Sequence, residues 1–291
     1  MSKTVKILAG CLVAAAAAVA GYCGTKYASS RSRATKELTI VHFNDTHSHF
    51  EPVSSGEYAG LGGSIERAAF VDSVIKADGR ENVLLLHAGD FSQGSTYFSE
   101  FGGDLEIREL NAFGYDAVTL GNHEFDNGLE DLGRRLSSLE CPVVVCNFDF
   151  SPFEAGKYIK PCTIVEKAGR KIGIVGVLCR LKGMVSTDIA DRVPELDMIE
   201  STQKWADYLK EEQKCDLVIA LTHIGYEEHT PGDITDPVLV SRTRNIDLVV
   251  GGHSHTFLGD LPFYKNLDGK EVPVVQDGEF GVQAGIMKIR K

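Results

Sequence analysis

Short apolar runs alternate with stretches of helical spacing along most of this chain. Leu38–Phe43, Val83–His87, Ala117–Leu120 and Val143–Cys146 are short, apolar and rich in β-branched residues, which predicts strands buried on both faces. Between them, Ser64–Lys76, Leu105–Ala112 and Leu129–Leu139 carry the spacing of helices. Thr163–Glu166, a turn at Ala168-Gly169-Arg170 and Ile172–Leu178 then predict a hairpin. Glu195–Lys214 reads as a long amphipathic helix. Leu217–Leu221 and Leu248–Val250 are further buried strands, with a helix near Pro237–Arg244 between them, and Val272–Val275 and Val282–Ile289 alternate like sheet at the end. The alternation alone specifies an α/β class. There is no internal repeat, and no low-complexity linker after Lys36.

The front of the chain reads as an address. Met1–Gly24 opens with Lys3 and Lys6 and then runs apolar from Ile7 to Ala20. That core of about 14 residues suits a signal peptide and is too short to span a membrane comfortably. Ala18-Val19-Ala20 is the expected cleavage site. Cys23 offers the alternative of a lipoprotein-type cleavage with lipid on that cysteine and attachment to a membrane, although Tyr22 before it is a poor small residue. The expectation is export to the periplasm or cell envelope, with residues 1–24 as leader, 25–36 as a polar, basic tether and 37–291 as one catalytic domain.

Charge narrows the partners. With 41 acidic and 30 basic residues the formal net charge is −11. Such a surface argues against duplex nucleic acid, whose phosphates need clustered Lys and Arg. A small phosphorylated substrate stays open, because a bound metal supplies positive charge locally. The cysteines beyond Cys23 and the leader are Cys141, Cys146, Cys162, Cys179 and Cys215, with no CxxC pair, so zinc-ribbon and thioredoxin chemistry have no support. Cys162 and Cys179 lie on opposite arms of the expected hairpin and could approach each other. Free buried thiols are the expected state of all five.

The polar residues fall at strand ends. Asp45 and His47 follow the first strand, Asp90 the second, Asn122 and His123 the third, His223 a later one, and His253 and His255 the last of the buried series. In open α/β sheets, ligands bind at the carboxyl ends of strands. The segments are FNDTHSH (Phe43–His49), AGDFSQGS (Ala88–Ser95), GNHEFDNG (Gly121–Gly128), LTHIG (Leu221–Gly225) and GGHSHT (Gly251–Thr256). Spacings of D-x-H and H-x-H after a strand place both side chains on one face, because the strand period is two. Asp, Asn and His donors without thiolate suit divalent Zn, Mn, Fe or Mg. They outnumber what one ion needs, so two ions are the economical reading, with Asp90 between them because a carboxylate has two oxygens. His123 precedes Asp126 by three residues, a spacing that shares a face on a helical turn.

These segments, in this order, resemble the calcineurin-like metallophosphoesterase superfamily, and GNHEFDNG with GGHSHT resembles its 5′-nucleotidase and 2′,3′-cyclic phosphodiesterase branch. The likeness runs from about Leu38 to Ile289. It implies a four-layer α/β/β/α sandwich. It implies one metal held by Asp45, His47, Asp90 and His255, and a second held by Asp90, Asn122, His223 and His253. A metal-bridging water or hydroxide would attack phosphorus in line. His123, paired with Asp126, would be catalytic, stabilising the transition state and protonating the leaving alkoxide. Asn122 and His123 would also contact substrate. The implied activity is hydrolysis of phosphate monoesters, 5′-nucleotides above all. Within the superfamily the alternatives are a 2′,3′-cyclic nucleotide phosphodiesterase or a sulfur-ester hydrolase, and outside enzymes a metal-retaining binding subunit, which would not need the His123–Asp126 pair. Exported 5′-nucleotidases usually carry a further C-terminal domain that clamps the nucleoside, which leaves three readings: a separate substrate-binding polypeptide that docks here, which is preferred, hydrolysis of small phosphoesters without a clamp, or a truncated sequence.

The other histidines read as structure. His42 and His87 lie inside strands as core residues, His49 sits among loop-packing residues, and His229 in an acidic loop is expected to be solvated. Glu124 reads as a structural partner, and Gln93 and Gln276 as side chains bonded to backbone. Gly94, Gly121, Gly251 and Gly252 read as permitting tight turns beside the ions.

Overall fold

The computed structural model describes residues 36–290; the leader, Cys23 and most of the tether lie outside the described residues. Among the described residues twelve strands form: β1 (Leu38–Phe43), β2 (Val83–His87), β3 (Ala117–Val118), β4 (Val143–Val144), β5 (Ile159–Lys160), β6 (Cys162–Lys167), β7 (Arg170–Leu178), β8 (Leu217–His223), β9 (Leu248–Val250), β10 (Phe263–Lys265), β11 (Glu271–Val275) and β12 (Gly285–Ile289). The helices are α1 (Ser64–Asp78), α2 (Thr96–Phe101), α3 (Asp104–Phe113), α4 (Gly128–Leu136), α5 (Thr187–Arg192), α6 (Met198–Asp207) and α7 (Asp236–Ser241). Two six-stranded sheets result, ordered β12-β1-β2-β3-β4-β5 and β10-β11-β9-β8-β7-β6. Both are mixed: β12 on β1, β6 on β7 and β10 on β11 are antiparallel, and the other pairs are parallel.

The side-chain alternation of the central strands builds the four layers. Leu38, Ile40, Leu84 and Leu86 of the first sheet meet Ile172, Ile174, Ile219, Leu221 and Leu248 of the second in one apolar cluster between the sheets. The intervening residues face outward and are covered. Val41, Val83 and Leu85 pack with Val71 of α1 and Ile107 and Leu110 of α3, while Val175, Val218 and Val249 pack with Ala206 of α6 and Leu239 of α7. Strands covered on both faces must be apolar on both, which is why they read as continuous runs rather than alternating ones. The architecture is the α/β/β/α sandwich.

Several expectations shift. β3 and β4 keep only two ladder residues each, joined through Val118 and Val143, although Thr119, Leu120 and Val145 beyond them stay buried. The helix expected from Glu195 begins at Met198, where the Asp197 carboxylate accepts from Glu200 N, and it ends in a π-helical turn over Tyr208–Glu212. Cys162 pairs across the hairpin with Val175 rather than Cys179, and that register keeps the two cysteines apart. All five cysteines of the described residues are free, with Cys141 and Cys162 only half-buried.

Candidate metal centre

The predicted site residues converge at the carboxyl ends of β1, β2, β8 and β9 and in the loop after β3. The loops after β1 and β2 are laced together through Asp45 N to Gly89 O (3.0 Å), His47 N to Asp90 O (3.1 Å) and Ser48 N to Phe91 O (3.1 Å). These loops and the one after β9 carry unusual backbone. Asp45 (φ 49), His47 (φ 47), Asp90 (φ 51), His253 (φ 82) and His255 (φ 52) all occupy the left-handed region. Each such non-glycine residue costs about 1 kcal/mol or more and is retained at functional sites. The strand period therefore does not continue into these loops. Asp45 and His47 still converge, but His253 and His255 turn to different donor groups.

Among the described residues three donor groups form, in each of which one ligand atom per residue lies within 4.8 Å of the others: Asp45, His47 and His255; His47, Asp90 and His123; and Asp90, His223 and His253. His47 Nε2 is 3.1 Å from His255 Nε2. His255 Nε2 is 3.4 Å from Asp45 Oδ1, and His223 Nε2 is 3.1 Å from Asp90 Oδ2. The donors fit a divalent cation. His223 Nδ1 donates to Ala88 O at 2.7 Å, which leaves Nε2 as the nitrogen that faces Asp90 and the rest of the cluster. His255 Nδ1 is fixed likewise by Glu279 Oε2 at 2.8 Å. The carboxylates demand positive charge: burial opposes the ionised form of Asp90, yet the attraction of His223 outweighs it and holds the acid below its usual range. Burial also resists charge on His223, but Asp90 and Asp45 push it up to about 9. Burial and then Asp90 push the thiol of Cys179, near the same cluster, well up.

Glycine makes room for this crowding. A side chain at Gly121 would stand on Asp90 Oδ1 and 2.6 Å from His223 Nε2, and one at Gly252 would lie 2.9 Å from Asp45 Oδ2. Neither has positive φ, so the requirement is close approach rather than the tight turn expected from the sequence.

His123 and Asp126 flank a 3₁₀ turn, with Nδ1 and Oδ2 2.9 Å apart, and both are about 30% exposed. Burial alone would lower the pKa of His123, but Asp126 and Asp90 raise it. Glu124 is fully buried and accepts from Asp90 N (2.9 Å), Ser92 N (3.0 Å) and Gly121 N (2.6 Å). Asn122 is buried, with Oδ1 3.9 Å from Cys179 Sγ. His42 is buried against Asp277 at 2.7 Å, and His87 against Thr46 at 3.2 Å. His49 packs on Phe280 at 4.0 Å between ring centroids. His229 is exposed as expected, yet its ring is 5.5 Å from that of His253, at the edge of the centre. Gln276 bonds the backbone of Gly252 and Thr256, and Gln93 (φ 71) lies in the loop after β2.

Two supporting residues escaped the sequence reading. Asn44 Nδ2 donates to Asp45 Oδ2 and to Gly278 O, both at 2.7 Å. Glu279 orients His255. The signal available for Glu279 was its place in QDGEF (Gln276–Phe280), a further polar segment following an apolar strand.

Residues 38–257 match the family model of the calcineurin-like phosphoesterases. A 5′-nucleotidase of Diplobatis ommata is 35% identical over 275 residues, which cover 87% of this chain and 46% of that protein. The crystal structure of a 5′-nucleotidase precursor from Thermus thermophilus superposes with a TM-score of 0.77 at 34% identity, covering 88% of this chain and 51% of that one. The NAD nucleotidase of Haemophilus influenzae follows with a TM-score of 0.74 at 28% identity, covering 88% of this chain and 55% of that one. The chain spans about half the length of the curated relatives it matches.

Proposed function

The chain belongs to the calcineurin-like phosphoesterase family, and from this we propose that it is an exported hydrolase of phosphate monoesters, acting on 5′-nucleotides with two divalent ions. One observation carries the reading: the buried carboxylate of Asp90 groups with His223 and His253 on one side and with His47 on the other, and His47 in turn groups with Asp45 and His255, so the donors form two adjoining sets with a carboxylate where they meet. Asp45, His47, Asp90 and His255 would hold one ion, and Asp90, Asn122, His223 and His253 the other. When bound, the ions would supply Lewis acidity, lowering the pKa of a water molecule and neutralising charge on the phosphoryl oxygens.

The rest falls to the chain's own residues. Asp45 and Asp90 stay ionised, and Ala88 O and Glu279 fix which nitrogens of His223 and His255 face the centre. Asn122 and His123 would contact the phosphoryl group. Asp126 holds Nδ1 of His123, so the opposite nitrogen would carry the proton that passes to the leaving alkoxide as the phosphorus–oxygen bond breaks. The choice of 5′-nucleotides is supported by the 5′-nucleotidases that match over this same half of their length. A unit equivalent to their unmatched half would add contacts to the nucleoside, and its addition would lower KM for AMP. Export rests on the apolar leader, with Cys23 as the lipid attachment point if cleavage falls before it; mass spectrometry of the mature chain decides.

The test is phosphate release from AMP, a 2′,3′-cyclic nucleotide and an aryl phosphate after reconstitution with Mn, Zn, Mg or Co. Turnover of AMP is expected. Turnover of the cyclic ester alone would make the chain a phosphodiesterase, and two bound ions with no turnover of any ester would make it a metal-retaining binding subunit.

A further inference from the structure

A cavity of about 220 Å³ opens between β12, at the edge of the first sheet, and the end of β11 in the second. None of the predicted metal ligands lines it. Its polar end is a buried pair. The side chains of His42 and Asp277 are only 2% and 8% exposed, and Nδ1 of the ring lies 2.7 Å from Asp277 Oδ2. A carboxylate offers only acceptors, so Nδ1 donates to it. Asp277 Oδ1 accepts from Gln283 Nε2 at 3.2 Å. His42 Nε2 and Asp277 Oδ2 both face the side-chain position of Gly285, where a Cβ would stand 2.1 Å from each. Any larger residue at that point of β12 would displace the pair.

The lining defines what fits. Leu258, Leu261, Val275 and Met287 give apolar walls, and Asp260 is exposed at the rim. No Lys or Arg is among the described residues that line the space. With His42 protonated one negative charge is left over, and with it neutral two are. The enclosure is therefore negative, and the buried charge of Asp277 is costly unless paired. The complement is a small cation. A primary ammonium brings three donors, which match the acceptor oxygens of Asp277 and Gln283, and its alkyl part would lie on the walls. The volume is below that of sites for drug-sized ligands, which limits the alkyl part to a few carbons.

The same residues reach the metal centre. Asp277 N donates to Asn44 Oδ1 at 2.9 Å, and Asn44 Nδ2 donates to Asp45 Oδ2 at 2.7 Å. Gln276, also in the lining, holds Gly252 O and Thr256 N in the loop of His253 and His255. A group that pulls on Asp277 thus bears on predicted ligands from both sheets. We propose that this cavity is a binding site for a small primary ammonium with a short alkyl body, and that its occupancy shifts the affinity of the centre for metal. The coupling is reciprocal, so metal changes ammonium affinity by the same factor. The binding site does not depend on the phosphoesterase reading; only the coupling assumes that the centre holds metal.

The probe is n-butylammonium, read on the full chain by saturation-transfer NMR and calorimetric titration, with n-butanol as its uncharged counterpart. Butylammonium is expected to bind at least about tenfold more tightly than butanol, the scale of one hydrogen bond to a charged group. Asp277→Asn keeps the shape and the backbone bond to Asn44, and is expected to bring butylammonium down to the level of butanol. Asp260→Asn, an exposed change, is expected to weaken it about two- to fivefold, the scale of exposed charge pairs. In titration with Mn, saturating butylammonium is expected to shift the affinity of the native chain about fivefold and to leave Asp277→Asn unmoved. No butylammonium signal with the native chain, or equal binding of the ammonium and the alcohol, overturns the site. Butylammonium binding untouched by both substitutions overturns its assignment to this cavity, and an unmoved Mn affinity in the native chain overturns the coupling.

Discussion

Glu124 gives the sharpest test of how the centre is held. Its carboxylate is buried and bonded to three backbone amides: Oε2 accepts from Asp90 N and Gly121 N, and Oε1 from Ser92 N. It clamps the loop that carries Asp90 to the loop that carries Asn122 and His123. Burial and the charge of Asp90 push it up to about 7, against the pull of these donors. Glu124→Gln keeps the shape and removes one acceptor. The amide oxygen would turn toward Asp90 N and Gly121 N, and its NH2 would then confront Ser92 N–H. One buried amide left unpaired costs about 1–3 kcal/mol. For a domain of this size that corresponds to a fall in Tm of about 3–10 °C. Because Asp90 is displaced with its loop, metal affinity should also fall about 10- to 100-fold, the usual effect of losing an outer support.

The assay pairs calorimetric melting of the metal-stripped chain with titration by Mn or Zn. Both quantities should move. An unchanged Tm would refute the accounting of the three amides. A lower Tm with unchanged affinity would refute the coupling between clamp and ligand, making Glu124 a support of the fold alone.

The remaining expectations concern single residues. His123→Ala should lower kcat by about 10²- to 10⁴-fold, the range for a positioned acid, with metal content by elemental analysis unchanged; an unaltered kcat would remove His123 from the chemistry. Glu279→Gln should weaken metal binding about tenfold in chelator competition, since Nδ1 of His255 loses a charged acceptor. Asp247 binds Lys210 Nζ (3.0 Å), Lys270 Nζ and Val218 N (2.9 Å). Burial raises its pKa, but Lys270 and Lys210 outweigh that and hold it below the usual range. A depressed folded value means stability that is complete above the unfolded pKa of about 3.9 and lost as pH falls through the folded value. Asp247→Asn should therefore melt below the native chain at pH 7, with the gap closing in stronger acid; a gap independent of pH would contradict the assignment.

The strands most legible in the sequence were those that are apolar on both faces and end at a polar residue. β1, β2 and β9 begin and end where the pattern placed them. β5 and β10 escaped because they are short, partly exposed edge strands with no alternation to read. α2 and α5 are six residues each, too short for a helical period to stand out. The candidate ligand residues were picked out by the same reading as the strands, since a polar group directly after a buried run marks the carboxyl end of the sheet. Of their supports, Glu124 and Gln276 were singled out, while Asn44 and Glu279 were not. Asn44 finds Gly278 across a separation of 234 residues, and no local pattern reports such a contact.

That long-range contact belongs to a continuous device. Gln276 Oε1 accepts from Ser254 Oγ (3.0 Å) and Thr256 N (2.6 Å), and its Nε2 donates to Gly252 O (2.9 Å), so it shapes the loop carrying His253 and His255. Asp277 N donates to Asn44 Oδ1 at 2.9 Å, and its carboxylate meets His42. Glu279 fixes His255, and Phe280 N donates to Asp45 O at 2.7 Å. Within five residues the chain binds one ligand loop from each sheet. β12, which follows, pairs antiparallel with β1, the strand that delivers Asp45 and His47. The left-handed conformations at five predicted ligands thus need not be offset by local sequence, because this segment and the lacing between loops fix them from outside. A one-residue slip of β12 against β1 would turn Met287 out of the core between the sheets and draw Glu279 and Phe280 off their partners together. Closing the first sheet and shaping the candidate metal centre are therefore one structural event, and the hydrophobic register that secures the fold also sets the position of the candidate ligands.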